Sequence, residues 1–422
     1  MTREFKCVID LFACAAQNIN LGIPEKIQIN RVLEIAQEQG VFEFVFFSLK
    51  KLWQSGYHLL DETEYASLSK LVLGKISLET QRRYHVKRIM DEINNDGYQC
   101  CVLKGESVAQ LYAEPALRLS SDTDLYLPGI TERKLLRILR KHHLDIQTKI
   151  RNSHHIRSIN PETGLLEFHL SFYDDLFDDV WFNHSFSLHE DLRSIKTTNG
   201  YEITTLGVND GLIFLTLHFI KHFLSKGIGI RHLMDLLLYM KTYESEINWR
   251  SYLDLLTVLK YKKFISVCVQ IGIEYLHFCK CDFSRFFILE CTSMEMEQVL
   301  EDMEKGGIYG KGESYRKDFY NAYTMERFTL FKKGEYEKYM RIWHRNNILD
   351  IVFSNKKNML HNYPYIKKSN FLLPIAYINR FWDFSIACLK KEKSIKQSLN
   401  ANQADDLSIK KRMELIKRLD MI

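Results

Sequence analysis

Leu103-Lys104-Gly105-Glu106-Ser107 and, after one short intervening helix, Asp122-Thr123-Asp124-Leu125 are the stretches on which the reading of this chain turns. The apolar run Gln99-Cys100-Cys101-Val102-Leu103 predicts a short buried strand, and Lys104 to Ser107 a turn. A helix begins at Val108 and is broken at Pro115. Leu119 to Leu127 then reads as a second strand, closed by Pro128-Gly129. Thr131 caps a helix running to about His143. Beyond it, His154–Ile159, a Pro161-Glu162-Thr163-Gly164 turn and Leu165–Phe172 predict a hairpin. Strand, helix, strand, helix and hairpin in this order make a small mixed α/β unit.

On a strand, residues i and i+2 share a face, so Asp122 and Asp124 project together while Thr123 and Leu125 point away. Two carboxylates that close repel unless a cation neutralises them, and hard oxygen ligands on a rigid strand suit Mg²⁺ or Mn²⁺. Gly105 lets the backbone approach a ligand, and the helix behind it favours phosphate. Lys104 adds a cation, Ser107 a hydroxyl, and Arg118 a second cation ahead of the aspartates. A third carboxylate is expected as partner. Leu166-Glu167-Phe168-His169-Leu170 alternates strictly, placing Glu167 and His169 on the polar face. There Glu167 can act as base or metal ligand, and His169 or Asp174 is the alternative base.

The flanks read differently. Ile29–Ala36, Val41–Trp53 and Leu78–Asn95 carry helical apolar spacing, the last ended by Asn95-Asp96-Gly97. From Gly211 onward the pattern is helical again, with no proline between Pro161 and Pro364. The tail from about Leu389 is basic, and Ile409, Met413, Ile416 and Leu419 mark one face of a docked amphipathic helix. The expected organisation is a helical region 1–95, an α/β core 96–205, a helical region 206–388 and a basic tail 389–422.

Composition excludes several classes. At 422 residues, 46% hydrophobic and 26% charged, the chain can bury an ample core. With 19 Gly and 6 Pro it is neither collagen-like nor low-complexity. A net charge of +5 is too small to imply a dominant nucleic-acid surface. Nine Cys without a CxxC pair give neither zinc ribbon nor disulfide framework, and read as thiols of a reducing cytoplasm. Asp10 splits the N-terminal apolar run Cys7–Ala16, so no signal peptide is read. Gly211–Leu224 carries His218, Lys221 and His222 and is too short and polar for a membrane span.

The motifs Leu103-Lys104-Gly105, Leu111-Tyr112, Arg118 and Asp122-Thr123-Asp124-Leu125 resemble the signature of the uncharacterised bacterial nucleotidyltransferase family, of polymerase-β-like fold. More distantly they resemble the AbiEii-type toxin nucleotidyltransferases, with their Lys-Gly-Gly and Ser-x-Asp-x-Asp motifs. Glu167 and His169 are similar to the family's acidic-x-His strand. His218, His222, Arg231 and Asp235 are similar to its H-x3-H…R-x3-D segment, and Tyr363-Pro364-Tyr365 with Leu373-Pro374 to Arg380 to its C-terminal stretch. The resemblance implies a metal-dependent transfer of a nucleoside monophosphate from an NTP to an acceptor hydroxyl. In it Asp122, Asp124 and Glu167 serve metal and catalysis, and Lys104, Gly105, Ser107 and Arg118 the nucleotide. The acceptor is open: a small molecule, tRNA or protein, the last two in a toxin-like enzyme. Glu106 stands where relatives carry a small residue, which leaves a non-catalytic nucleotide-binding protein as the rival. By spacing, His218 and His222 suit a metal but read first as a packed helix pair; Arg231 and Asp235 read as an intrahelical ion pair, with Arg231 reaching the triphosphate as the alternative; and Gly306-Gly307 with Gly310-Lys311-Gly312 read as a connection without Walker spacing.

Overall fold

The computed structural model describes residues 1–22, 27–146, 155–170, 191–225, 227–279, 283–287, 291–307, 328, 363, 372–379, 382 and 411–422. By internal contacts the chain divides into one unit of residues 1–317 with 418–421 and another of 318–417 with 422. Everything that follows concerns the first unit. Gly310-Lys311-Gly312, Asp174, Ile409 and Pro364-Tyr365 lie outside the described residues.

A six-stranded mixed sheet forms the centre of this α+β fold. Its strands are β1 (Cys101–Val102), β2 (Asp122–Tyr126), β3 (His155–Asn160), β4 (Gly164–His169), β5 (Leu192–Lys196) and β6 (Glu202–Leu206). They lie in the order β3-β4-β2-β1-β6-β5. The central strand β2 runs antiparallel to β1 and parallel to β4, with Asp124 opposite Glu167 and Tyr126 opposite His169. The hairpin thus docks through its second strand against the aspartate strand.

Four helices precede the sheet: α1 (Arg3–Gln17), α2 (Ile29–Glu38), α3 (Phe42–Gln54) and α4 (Glu62–Asn95). The apolar N-terminal run is helix α1, whose Thr2 cap accepts from Phe5 N–H. Asp10, which interrupts that run, is half-buried, with Lys6 Nζ 2.7 Å and His277 Nε2 3.1 Å from its Oδ1. Helix α4 begins well before the expected Leu78, because an Asp61–Glu64 capping box starts it. Leu71, Leu73 and Leu78 are exposed there, so no apolar stripe announced the extension.

The alternation of the strands sorts their side chains into two layers. One face packs Val102, Leu125, Leu166 and Phe168 against Val86, Ile89 and Ile93 of α4 and against α6 (Glu132–Lys141) through Leu135, Ile138 and Leu139. The other packs Cys101, Leu103, Tyr126 and Leu206 against Phe214 of α7 (Val208–Ser225). Burying a side chain of this size is worth about 1.5–3 kcal/mol, so a slip of one residue in β2 would turn its apolar set away from the α4 and α6 layer and drive both aspartates into it. Between β1 and β2 lie one helical turn, α5 (Glu106–Ala109), and a 3-10 turn at Pro115–Leu117, a shorter helix than the expected one.

The hairpin β5–β6 was not legible in the sequence. Its edge strand Leu-Arg-Ser-Ile-Lys is half exposed and carries no clean alternation. After it, α7 and α8 (Ile230–Thr242) pack together on the Phe214 side, their residues almost wholly buried. The apolar stretch Gly211–Leu224 is therefore a core helix. Among the described residues no helix is long and apolar enough to cross a membrane.

Candidate active site

Asp124 is the hub of the site. Its side chain is buried, and Lys104 Nζ lies 3.1 Å from its Oδ2 while His169 Nε2 lies 2.9 Å from its Oδ1. Burial alone would raise this carboxyl. The Lys104 ammonium and the His169 hydrogen bond outweigh it and hold the group well below the usual carboxylate range, fully ionised. The register across β2 and β4 puts Glu167 directly opposite, and Arg157 of β3 donates from Nε to Glu167 Oε1 at 2.8 Å. Ligand atoms of Asp124, Glu167 and His169 all lie within 4.8 Å of one another. Asp122 shares their sheet face but stands apart from this group and lines an adjoining cleft, with Ser120 Oγ 3.4 Å from its Oδ1.

That cleft opens between the Lys-Gly turn and helices α7 and α8. Lys104 links it to the acidic group: its Nζ also donates to His218 Nε2 at 2.8 Å, and His222 Nε2 lies 2.8 Å from the same nitrogen. A nitrogen approached by two donors must be the acceptor, so His218 is neutral and carries its proton on Nδ1. Burial, then the charge of Lys104, push it well below its ordinary value. His218 and His222 are thus a hydrogen-bonded pair that holds Lys104 in place.

Arg118 is engaged by helix α8. Its Nε and Nη2 clamp Asp235 at 2.8 and 2.7 Å, its Nη1 donates to Gly105 O at 3.1 Å, and Tyr112 donates its hydroxyl to the same Asp235 at 2.6 Å. The expected pairing of Arg231 with Asp235 is corrected by this geometry. A planar guanidinium can grip a carboxylate with two parallel bonds, and Arg118 takes both Asp235 oxygens. Arg231 instead donates to Leu119 O at 2.8 Å. Through Arg118 the helical region fixes the Lys-Gly turn, where Gly105 adopts φ +80°, a conformation that disfavours any side chain.

Glu106 turns its carboxylate to the opposite side of the sheet. There Arg83 Nε lies 2.7 Å from its Oε2, and Gln110 donates to its Oε1 at 2.8 Å. Its carboxyl is raised, chiefly by burial, with Arg83 opposing. The side chain that seemed to obstruct the turn is therefore directed away from the cleft. Ser107 is buried and does not line the cleft, while Ser120 does. The sequence did hold a signal for Ser120, the Ser-x-Asp-x-Asp spacing ending at Asp124. The roles of Arg83 and Arg157 had none, because each depends on a partner brought in by the fold.

Comparison with known proteins follows the same lines. Neither the curated proteins nor the solved structures provide a match, so the likeness to AbiEii-type toxins rests on the motifs alone. A protein family described as uncharacterised nucleotidyltransferase matches residues 25–273, a span that includes the sheet, the acidic group, the cleft and both histidine-bearing and arginine-bearing helices. That span is more than half of the chain, and it carries each element described above from Lys104 to Asp235. The chain belongs to this nucleotidyltransferase family.

Proposed function

We propose that the protein transfers a nucleoside monophosphate from an NTP to an acceptor hydroxyl with the help of Mg²⁺ or Mn²⁺, releasing pyrophosphate. The observation that carries this reading is the convergence of Asp124, Glu167 and His169 on two adjacent parallel strands, with Asp122 on the same face. Their chemistry fits a divalent cation: carboxylate oxygens dominate the donor set, and Asp124 is held ionised within the protein. Asp124 and Glu167 would hold it, with His169 orienting Asp124 or joining the ligands, and Asp122 on the same face would complete the acidic set toward the cleft. When bound, the cation neutralises the triphosphate and aligns it for in-line displacement.

The chain's own groups supply the rest. Lys104, held by His218, presents its ammonium beside Asp124, where phosphate oxygens would lie. Arg118 and Asp235 keep the Lys-Gly turn in the conformation that aims this cation at the cleft. Arg157 orients Glu167, which is placed to accept the proton of the acceptor hydroxyl. No covalent enzyme intermediate is required. In this division of labour residues 96–205 carry the chemistry and α7 and α8 wall the cleft. An NTP-consuming reaction suits a cytoplasmic protein.

The test is incubation with each labelled NTP, Mg²⁺ or Mn²⁺ and a cell extract, alongside Asp124→Asn. Label should move to RNA, protein or a small molecule with the wild type and vanish with the variant. Transfer undiminished in Asp124→Asn would sink the reading. Metal-dependent NTP binding without any transfer would instead favour the non-catalytic rival, an outcome that the orientation of Glu106 argues against.

A further inference from the structure

Arg231 is a buried cation with unused hydrogen-bonding capacity. It is 8% exposed and lines the cleft behind Lys104. One nitrogen donates to Leu119 O, but its buried Nε has no hydrogen-bond partner among the described residues. Asp235, one helical turn on, is committed through both oxygens to Arg118. A buried N–H without an acceptor is costly, and native proteins rarely leave one unless something else supplies the acceptor. Around it the cleft is lined by Lys104, Ser120, His218 and His232, with the carboxylate of Asp122 also on its wall. Burial and the charge of Arg231 push His232 down to about 3, so it is neutral at physiological pH and adds no cation of its own.

The placement relative to the acidic group gives the cleft a direction. Lys104 follows β1, on one flank of β2, and Glu167 belongs to β4, on the other flank. Asp124 lies between them. In-line displacement needs the entering oxygen and the leaving group on opposite sides of the reacting phosphorus.

We propose that this cleft seats the pyrophosphate leaving group, with Arg231 as its anchor, and that the acceptor enters from the Glu167 and Arg157 side. The inference rests on the nucleotidyl-transfer reading. The acceptor oxygen bonds to the α-phosphorus, and the bond from that phosphorus to the bridging oxygen breaks. The electron pair stays on the bridging oxygen, which leaves as pyrophosphate against Arg231 and Lys104. The acceptor's proton goes to Glu167.

The test uses inorganic pyrophosphate with Mg²⁺ as the probe, by titration calorimetry on the full chain, with a nucleoside monophosphate as comparison. Arg231→Gln should weaken pyrophosphate binding at least about tenfold, the scale of one lost charge-assisted contact, and leave the monophosphate unaffected. Arg231→Lys, which keeps the charge but not the fork, should fall between. If Arg231→Gln does not fold, hydrogen exchange on the wild type decides: pyrophosphate should slow exchange at the start of α8, residues 230–234. Unchanged pyrophosphate affinity in Arg231→Gln, or no protection of α8, overturns the subsite, whatever Asp124→Asn does to transfer. Arg231-dependent pyrophosphate binding without any transfer of label would keep the anion site and overturn the transfer reading beneath it.

Discussion

Replacing Asp235 by Asn tests how the helical region holds the Lys-Gly turn. Asp235 and Arg118 are both more than nine-tenths buried, and Asp235 accepts two bonds from Arg118 and one from the Tyr112 hydroxyl. Asn keeps the shape but removes the charge, so the guanidinium is left in the interior without its counter-ion. Breaking a buried pair from one side costs about 3–5 kcal/mol. Because Asn retains one acceptor oxygen, the lower end, about 3 kcal/mol, is expected. With a urea dependence of about 2–3 kcal/mol/M, the unfolding midpoint should fall by about 1 M or slightly more. Tyr112→Phe removes one hydrogen bond to a charged group and should cost about 1.5–3 kcal/mol. The two changes share Asp235, so their sum should exceed the cost of the double variant.

The same pair sets a pH dependence. Burial would raise the Asp235 carboxyl, but Arg118 outweighs it and leaves the group below the ordinary range. The stabilisation is therefore complete above the unfolded value of about 3.9 and is lost as pH falls through the lower folded value. Urea unfolding followed by circular dichroism between pH 7 and pH 3 should show the gap between wild type and Asp235→Asn narrowing only below about pH 4. A loss under about 1 kcal/mol at pH 7, against the 3–5 of a broken buried pair, would refute the reasoning. So would a gap that narrows already near neutral pH.

Two further outcomes follow from the geometry. Mg²⁺ or Mn²⁺ with NTP should raise the thermal unfolding midpoint, since whatever binds only the folded state stabilises it; the rise should shrink in Glu167→Gln, and an undiminished rise would remove Glu167 from the cation's ligands. Gly211→Ala on α7 should cost about 1–3 kcal/mol, because the added methyl would collide with the Tyr239 hydroxyl that donates to Val208 O; a variant as stable as wild type by urea unfolding would show that Tyr239 can move aside freely.

Much of this architecture is written in local sequence. Alternation at Asp122-Thr123-Asp124-Leu125 and at Leu166 to Leu170 decides which residues share a face, because successive side chains on a strand point to opposite sides. The Pro161–Gly164 turn sets the hairpin register, and the apolar spacing of 29–36 and 42–53 marks helices. Family membership is legible for the same reason, since its motif is a run of neighbouring residues. The tertiary structure decided what depends on partners far apart in the chain. It set Glu167 opposite Asp124 through a parallel pairing that no turn dictates. It gave Asp235 to Arg118 in place of Arg231, since a two-pronged grip in the interior outcompetes a neighbour on the same helix. It turned Glu106 toward Arg83, because a buried carboxylate must find a cation and α4 supplied one behind the sheet. And it left Arg231 lining a cleft, its buried Nε without a hydrogen-bond partner among the described residues.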